Sequence, residues 1–476
     1  MIRGIASILA LFVSSALASA QGVDGVYKLT ILPAPTPLPA QRFRLLPELR
    51  ERTPGNAALL YYRAFSPEWT TYRRPEVNKL IIAWLDDKSQ PPDAQLRWVV
   101  DSKMLKEVDR AARREFCEWE MTPRLREDGI GLLLPDVQSF REYANLLNLR
   151  FRFEMDDSKL DDAVYTLQTG FELSRDVANA PTLIQALVGI AIASIQMGQV
   201  EELMQARKSP NLYWALTNLP RPFISLRKPF EGEGIMMDNL FPAMREALVK
   251  GQSRPLTPEE IQAFAGKLIS VADPQHRVEP GEAKKQLDDV VAKQHPAAKK
   301  YLVERGWPAA QVTALPAGQA VLLYQLGEYD RLYDEMAKWQ GLPYWEARPG
   351  LEKAEKLLKE YVAKQQTVGG SLAQLLLPAV QKVVGAQIRL DRRIAALRCV
   401  EAVRIYAAAH DGKPPAKLDD IKEVPIPLDP YTGKAFTYKA DKNMATVEGP
   451  APEGEPATIN NRIRYDVTLK AKDAMK

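Results

Sequence analysis

Cysteine and histidine are scarce in this sequence, which has two cysteines and three histidines among 476 residues. Two cysteines form at most one disulfide, which excludes the small folds that depend on a disulfide framework. The histidines are dispersed, and none has the His-x-x-x-His spacing of a helical metal site. We expect Cys117 and Cys399 to be buried and unpaired, since both lie beside apolar helix positions; the alternative is a disulfide between them in an oxidising compartment.

The sequence also lacks an excess of one charge and lacks the common catalytic motifs. The 64 basic and 60 acidic residues leave a net charge of +4, which is too balanced for a nucleic-acid-binding surface. There is no Gly-x-Ser-x-Gly elbow, no phosphate-binding loop and no Rossmann glycine pattern. We therefore predict no cofactor, no metal site, no catalytic residue and no nucleic-acid partner. The acidic cluster from Glu154 to Asp162 does not match a calcium-binding EF-hand loop and is interpreted as a solvated hinge.

The first twenty residues have the composition of an export signal. A positive start at residues 1–3 precedes an apolar stretch at residues 5–17, and Ala18-Ser19-Ala20 then supplies small residues at the cleavage site. This order predicts a signal peptide over residues 1–20, cleaved after Ala20, and hence an exported protein that is periplasmic or extracellular. The alternative is an uncleaved anchor, although the apolar stretch is short beside the roughly 20 residues of a spanning helix.

Composition divides the rest of the chain into three parts. Residues 21–54 are rich in proline and are predicted to be an extended linker. Residues 55–370 show the periodicity of amphipathic helices, and residues 371–476 are predicted to form a long helix followed by a small β module. Residues 177–200 carry no charge but include Gln185, Gln196 and other polar side chains. This favours a buried helix, so we predict no transmembrane span in the mature chain.

Within the helical part, one pattern occurs three times, at residues 157–163, 197–203 and 326–332. Each copy has a small turn residue followed by apolar and acidic positions. The pattern resembles the turn of tetratricopeptide repeats, which implies antiparallel helical hairpins whose concave faces bind peptides. Because the copies are irregularly spaced, we predict a mainly α fold built as an irregular antiparallel helical array. Generic helix hairpins are the alternative interpretation.

The C-terminal part begins with a predicted helix from about Leu372 to His410 and ends with β candidates at residues 435–440, 444–448 and 463–469. This order is similar to the head of type II secretion pseudopilins. The residues that carry the resemblance are Tyr406, Gly412, Pro414, Leu418, Asp429, Pro430, Gly433, Phe436 and Tyr438. Because the helix follows a long body and bears arginines, the resemblance implies a similar local fold rather than assembly into a pilus.

Further stretches, at residues 117–119, 180–184 together with 187–189, 219–222 and 392–398, resemble segments of a set of large, uncharacterised exported proteins of planctomycete bacteria. This resemblance extends over most of the chain. It implies an exported location and a shared architecture, but no activity.

Two aromatic pairs, Tyr213-Trp214 and Tyr344-Trp345, are candidates for lining a groove that binds a peptide or sugar, with core packing as the alternative. Together with the predicted hairpins they favour a non-enzymatic protein-binding or scaffolding component of the cell envelope, whose partners are other envelope proteins or peptides. One alternative is a secreted hydrolase with a carboxylate-based site. The other is an accessory of a pseudopilin-like secretion system.

Overall fold

A computed structural model describes residues 25–65, 70, 72, 74–87, 91–128, 132, 134, 137–240, 242–272, 280–364 and 368–470. The predicted signal peptide, residues 1–20, lies outside the described residues. The described chain is mainly helical and includes a small sheet to which the C-terminal strands belong. The predicted fold class is therefore confirmed.

The α-helices of the described part are numbered in chain order. They are α1 Ala57–Arg63, α2 Pro75–Asp86, α3 Lys103–Ala111, α4 Met121–Asp128, α5 Val137–Asp156, α6 Leu160–Ala178, α7 Leu183–Gln205, α8 Tyr213–Thr217, α9 Arg227–Leu240, α10 Pro242–Lys250, α11 Pro258–Ala272, α12 Pro280–Glu304, α13 Ala309–Ala314, α14 Ala317–Ala337, α15 Tyr344–Lys364 and α16 Val368–Ala409. Short 3-10 helices lie at Leu49–Glu51, Ala94–Val99, Lys338–Gly341 and Leu418–Asp420. The strands are β1 Val26–Ile31, β2 Thr53–Asn56, β3 Arg114–Phe116, β4 Thr437–Asp441, β5 Met444–Gly449 and β6 Ile463–Leu469.

The described residues fall into two compact units. Unit 1 contains those within residues 122–133 and 230–382, and unit 2 contains those within residues 25–121, 134–229 and 383–470. This division differs from the predicted domain boundaries at residues 54 and 370. The reason is that the N-terminal segment and the C-terminal module share one sheet in unit 2, which no local composition reveals.

Unit 1 is an array of helical hairpins in which α12 packs against α11 and α14, and α14 also packs against α15. The predicted turn at residues 326–332 is wrong, because α14 runs through it without a break. Gly327 serves close packing instead: a Cβ at this position would overlap the hydroxyl of Tyr301 on α12. The small residue thus allows α12 and α14 to approach each other closely. From sequence alone, a glycine at this position is interpreted as part of a turn.

The helical core of unit 2 consists of α5, α6 and α7, which pack on one another pairwise. The predicted turn at residues 157–163 is confirmed where α5 ends and α6 begins, and Ser158 adopts a φ of +60° there. The predicted turn at residues 197–203 is wrong, because it lies inside α7. Thr182 caps the start of that helix by accepting from the backbone N–H of Gln185, and apolar residues then continue through the predicted turn.

The sheet of unit 2 has the strand order β1-β6-β5-β4. The β4–β5 and β5–β6 pairs are antiparallel, so the three predicted C-terminal strands are confirmed. Strand β1 pairs with β6 in parallel register, from Val26 beside Arg464 to Ile31 beside Leu469. The predicted linker over residues 21–54 therefore contains a strand, since residues 26–31 are rich in β-branched side chains and bury Leu29 and Ile31.

Candidate functional site

Helix α16 carries buried arginines that join distant parts of unit 2. Arg392, Arg393 and Arg404 are 2%, 4% and 0% exposed. The guanidinium of Arg392 makes a bidentate contact with Asp429, at 2.9 and 2.7 Å, and donates to two backbone carbonyls of the C-terminal module. Buried guanidinium groups are tolerated only when their donors are satisfied in this way. These pairs therefore fix the module against the helix.

The pair between Arg393 and Glu201 links α16 to α7. Nε and Nη2 of Arg393 each donate to a different oxygen of Glu201 at 2.8 Å, and the hydroxyl of Tyr465 donates to the same carboxylate at 2.5 Å. Burial and then Glu201 raise the pKa of Tyr465 well above its usual value. Burial alone would lower the pKa of Arg393, but Glu201, Tyr27 and Tyr465 together outweigh burial and the net shift is upward. The guanidinium of Arg393 therefore stays charged while the phenol of Tyr465 stays neutral.

Asp391 lies two residues before Arg393 in α16, and its burial leads to a prediction for the pH dependence of stability. Its carboxylate accepts the backbone N–H of Phe223 at 2.9 Å, and burial raises its pKa to about 7. The folded protein therefore holds a proton that the unfolded chain has released, so stability falls as pH rises from about 4 to 7. We expect Asp391→Asn, whose amide oxygen can still accept from Phe223, to remove this decline and to stabilise the protein at pH 8 by about 1–3 kcal/mol.

Urea unfolding of both proteins at pH 5 and pH 8 checks this expectation. The gain from Asp391→Asn is expected to be larger at pH 8 than at pH 5. An equal effect at the two pH values would contradict it.

Burial also raises the pKa of three further carboxyl groups on the helices of unit 2, those of Glu154, Asp176 and Glu401. Burial raises the pKa of Glu154 to about 7, and this side chain is 6% exposed. The predicted solvated hinge is therefore wrong at Glu154, because Thr166 donates to it at 2.6 Å and Arg150 lies one helical turn away. Burial, followed by the neighbouring Glu172, raises the pKa of Asp176, which accepts from the hydroxyl of Tyr61 at 2.8 Å.

Strand β1 forms the side of a cleft along the outer edge of the sheet. The cleft has a volume of about 360 Å³, within the range of about 300–1,000 Å³ usual for ligand sites. Its other wall consists of Arg152 on α5 and of four residues on α7, which are Gly198, Glu201, Glu202 and Gln205. Arg152 and Glu202 form an ion pair, so both signs of charge are present at the wall.

On the side of β1 that faces this cleft, backbone N–H and C=O groups have no backbone partner among the described residues. In a parallel pair, alternate residues direct their N–H and C=O towards the same neighbour. The N–H of Thr30 donates to Oε1 of Gln205 at 3.1 Å and not to β6. Val26 and Lys28 share the orientation of Thr30, and no described backbone group bonds to them on that side. The cleft therefore offers an open strand edge that Gln205 closes at one end.

Two other cavities occur in unit 2. One, of about 30 Å³, lies beside the buried arginines and is lined by Tyr27, Arg389 and Arg392 among others. The other, of about 570 Å³, lies at the start of α6 and is lined by residues of both charges, including Lys159 and Asp161. None of these three cavities is lined by the described carboxyl groups of unit 2 whose pKa burial raises, which are Glu154, Asp176, Asp391 and Glu401.

The structure places the four predicted groove residues in different surroundings. Tyr213 is fully buried in unit 2 and its hydroxyl donates to the carbonyl of Pro425, so it lines no open groove. The prediction is therefore wrong for Tyr213, because this side chain is buried and hydrogen-bonded to the C-terminal module. Trp214 beside it is partly exposed, whereas Tyr344 and Trp345 belong to unit 1, where Trp345 is 42% exposed.

Neither thiol is suited to nucleophilic chemistry. Cys117 and Cys399 are buried and unpaired, as predicted. Burial raises the pKa of both thiols, so neither forms the reactive thiolate at neutral pH. Within the described ranges, no group of three or more His, Cys, Asp or Glu side chains is arranged to hold a metal ion.

Sequence reasoning missed the edge of β1. A short run of β-branched residues at Val26, Thr30 and Ile31 was the available signal, but the surrounding prolines favoured a linker.

Comparison with protein-family models, curated proteins and solved structures finds no match to this chain.

Proposed function

We propose that this protein is an exported, non-enzymatic binding component of the cell envelope, and that it holds an extended segment of another envelope protein along the open edge of β1. Its export is supported by the composition of residues 1–20. The resemblance to exported planctomycete proteins supports the same location. The binding role depends on one observation: the edge of β1 has no backbone partner among the described residues and lies beside a cleft of about 360 Å³.

The edge of β1 suits an added strand. The N–H and C=O groups of Val26 and Lys28 face the cleft without backbone partners among the described residues. An incoming extended peptide would satisfy these groups, which is the usual mode of β-strand addition. Its side chains would meet the α7 wall at Gly198 and Glu202, where the glycine leaves room for them.

Binding is favoured over carboxylate-based hydrolysis because the acids with raised pKa lie elsewhere. Glu154, Asp176 and Asp391 are each held by a neighbouring donor and line none of the cavities described above. Hydrolysis requires an acid and a base that converge on one open site. The cleft beside β1 instead combines backbone hydrogen-bonding groups with a mixed-charge wall.

A single substitution tests the proposed edge. We expect Lys28→Pro to weaken binding of short peptides, selected from a random display library with the wild-type protein, by at least about tenfold. Proline removes the outward N–H of residue 28 and blocks an added strand, but it removes no hydrogen bond to β6 because that N–H faces the cleft. Binding is measured by titration with a labelled selected peptide.

Lys28→Thr is the matched control, since it changes the same side chain but keeps the N–H, and it is expected to bind nearly as well as wild type. Hydrogen exchange gives a second readout: bound peptide is expected to slow exchange at the amides of Val26 and Lys28. Equal binding by Lys28→Pro, or failure of the wild-type protein to select any peptide, would show that this edge is not the binding site.

A further inference from the structure

Helix α7 contains two buried glutamines that lack hydrogen-bond partners. Gln196 is 0% exposed and Gln199 is 2% exposed. Neither the oxygen nor the nitrogen of either side-chain amide has a partner among the described residues. Ser194 and Gln185 on the same helix are also buried, but both are hydrogen-bonded. The two glutamines are therefore exceptions that call for an explanation.

The folded protein gains no stability from these amides. A buried polar group without a partner destabilises the folded state, because it loses its hydrogen bonds to water and forms none in return. Gln196 also requires a glycine opposite it: a Cβ at Gly170 of α6 would overlap the Gln196 amide. Glycine inside a helix is itself unfavourable. Hydrogen bonds to the described residues therefore do not account for these two glutamines.

Helix α7 is apolar enough to cross a membrane. Among the described residues it is the helix that meets that criterion, with a mean hydropathy of 1.6 over an 18-residue window of which 78% is buried in the protein. A segment of this length and composition can lodge in the bilayer while a chain is being translocated. Without Gln196 and Gln199, residues 186–200 would contain Ser194 as their one hydrogen-bonding side chain.

We propose that Gln196 and Gln199 act during export, by keeping α7 from lodging in the membrane as the chain crosses it. An amide in the bilayer core has no hydrogen-bond partner and opposes insertion. Both lie in the apolar stretch ahead of the charged pair at Glu201 and Glu202, so they interrupt the part that would otherwise span. This inference depends on the export that the proposed function includes.

The test is the double variant Gln196→Leu/Gln199→Leu in the full chain, fused at its C-terminus to a reporter enzyme that is active only outside the cytoplasm. The wild-type fusion is expected to be exported, soluble after alkaline carbonate extraction, and active. The double variant is expected to lose most of the reporter activity, because α7 would span the membrane and leave the C-terminal part inside. The larger part of it is expected in the carbonate-resistant membrane pellet.

The same two chains without residues 1–20, purified from the cytoplasm, form the control for folding. Here the double variant is expected to be soluble and to unfold at a higher urea concentration than its wild-type counterpart. Normal export of the full-length double variant would overturn the proposal, as would a less stable leaderless variant, which would reveal a role in the folded state. Failure of the wild-type fusion to be exported would instead refute the export that the proposed function includes.

Discussion

Replacing Arg404 with methionine is expected to destabilise unit 2 by about 3–5 kcal/mol. Arg404 is fully buried, and its guanidinium donates to both oxygens of the equally buried Glu401 at 2.8 and 3.0 Å. It also donates to the carbonyls of Leu32, Pro210 and Ser209. Methionine fills much of the same space but leaves a buried carboxylate and three carbonyls without this donor. The loss therefore exceeds that of one hydrogen bond.

Hydrogen exchange at the amides of β6 under increasing urea measures this loss within unit 2, since the two units need not unfold together. The control is Arg464→Met, which breaks the partly exposed pair with Asp466 in the same sheet. Such surface pairs contribute at most about 1 kcal/mol. Similar losses for the two variants would mean that burial of the Arg404 network does not determine its contribution.

Replacing Arg393 with methionine is also expected to cost about 3–5 kcal/mol, because it leaves Glu201 buried without its counter-ion. The carboxylate would keep the hydrogen bond from Tyr465 but lose two charged donors at 2.8 Å. We expect the stability of this variant to improve at low pH relative to wild type, since an unpaired buried carboxyl group takes up a proton more readily. Urea unfolding at pH 5 and pH 7, followed at β6, measures both effects.

A second substitution separates loss of the ion pair from loss of packing. The double variant Arg393→Met/Glu201→Leu removes both charges and is expected to recover most of the stability lost by Arg393→Met, since two apolar groups pack where two charges were buried. A double variant as unstable as Arg393→Met would indicate that the shape of the arginine side chain, and not the unpaired charge, is what the core requires.

The features that were predicted correctly are those that depend on neighbouring residues. Helical periodicity placed a helix at about residues 372–410, where α16 spans Val368–Ala409, and alternation placed the three C-terminal strands. Strand β1 was missed because its partner, β6, lies more than 400 residues away in the sequence. No local pattern around the prolines of the predicted linker identifies a partner at that distance.

The arginines of α16 show a second limit. The burial of Arg392, Arg393 and Arg404 was not predicted from the sequence, since charged residues on a helix usually form a solvated face. In the structure all three are buried with a counter-ion. Asp429 reaches Arg392, and Glu201 reaches Arg393, from outside α16. Glu401 pairs with Arg404 from within the helix, three residues away. A charge pattern on one helix cannot show whether counter-ions reach it from elsewhere. For the same reason, the turn predicted at Gly327 became a packing contact that only the neighbouring Tyr301 explains.

The parallel pairing of β1 with β6 determines when, during synthesis of the chain, the sheet of unit 2 can be completed. Strand β1 can pair with its neighbour only after β6 has been synthesised, and β6 ends at Leu469. Until then, Glu201 and Arg393 lack the hydroxyl of Tyr465. The sheet of unit 2 is thus completed only once residues 463–469 have been made, and a chain truncated before residue 463 lacks the strand that joins β1 to β5.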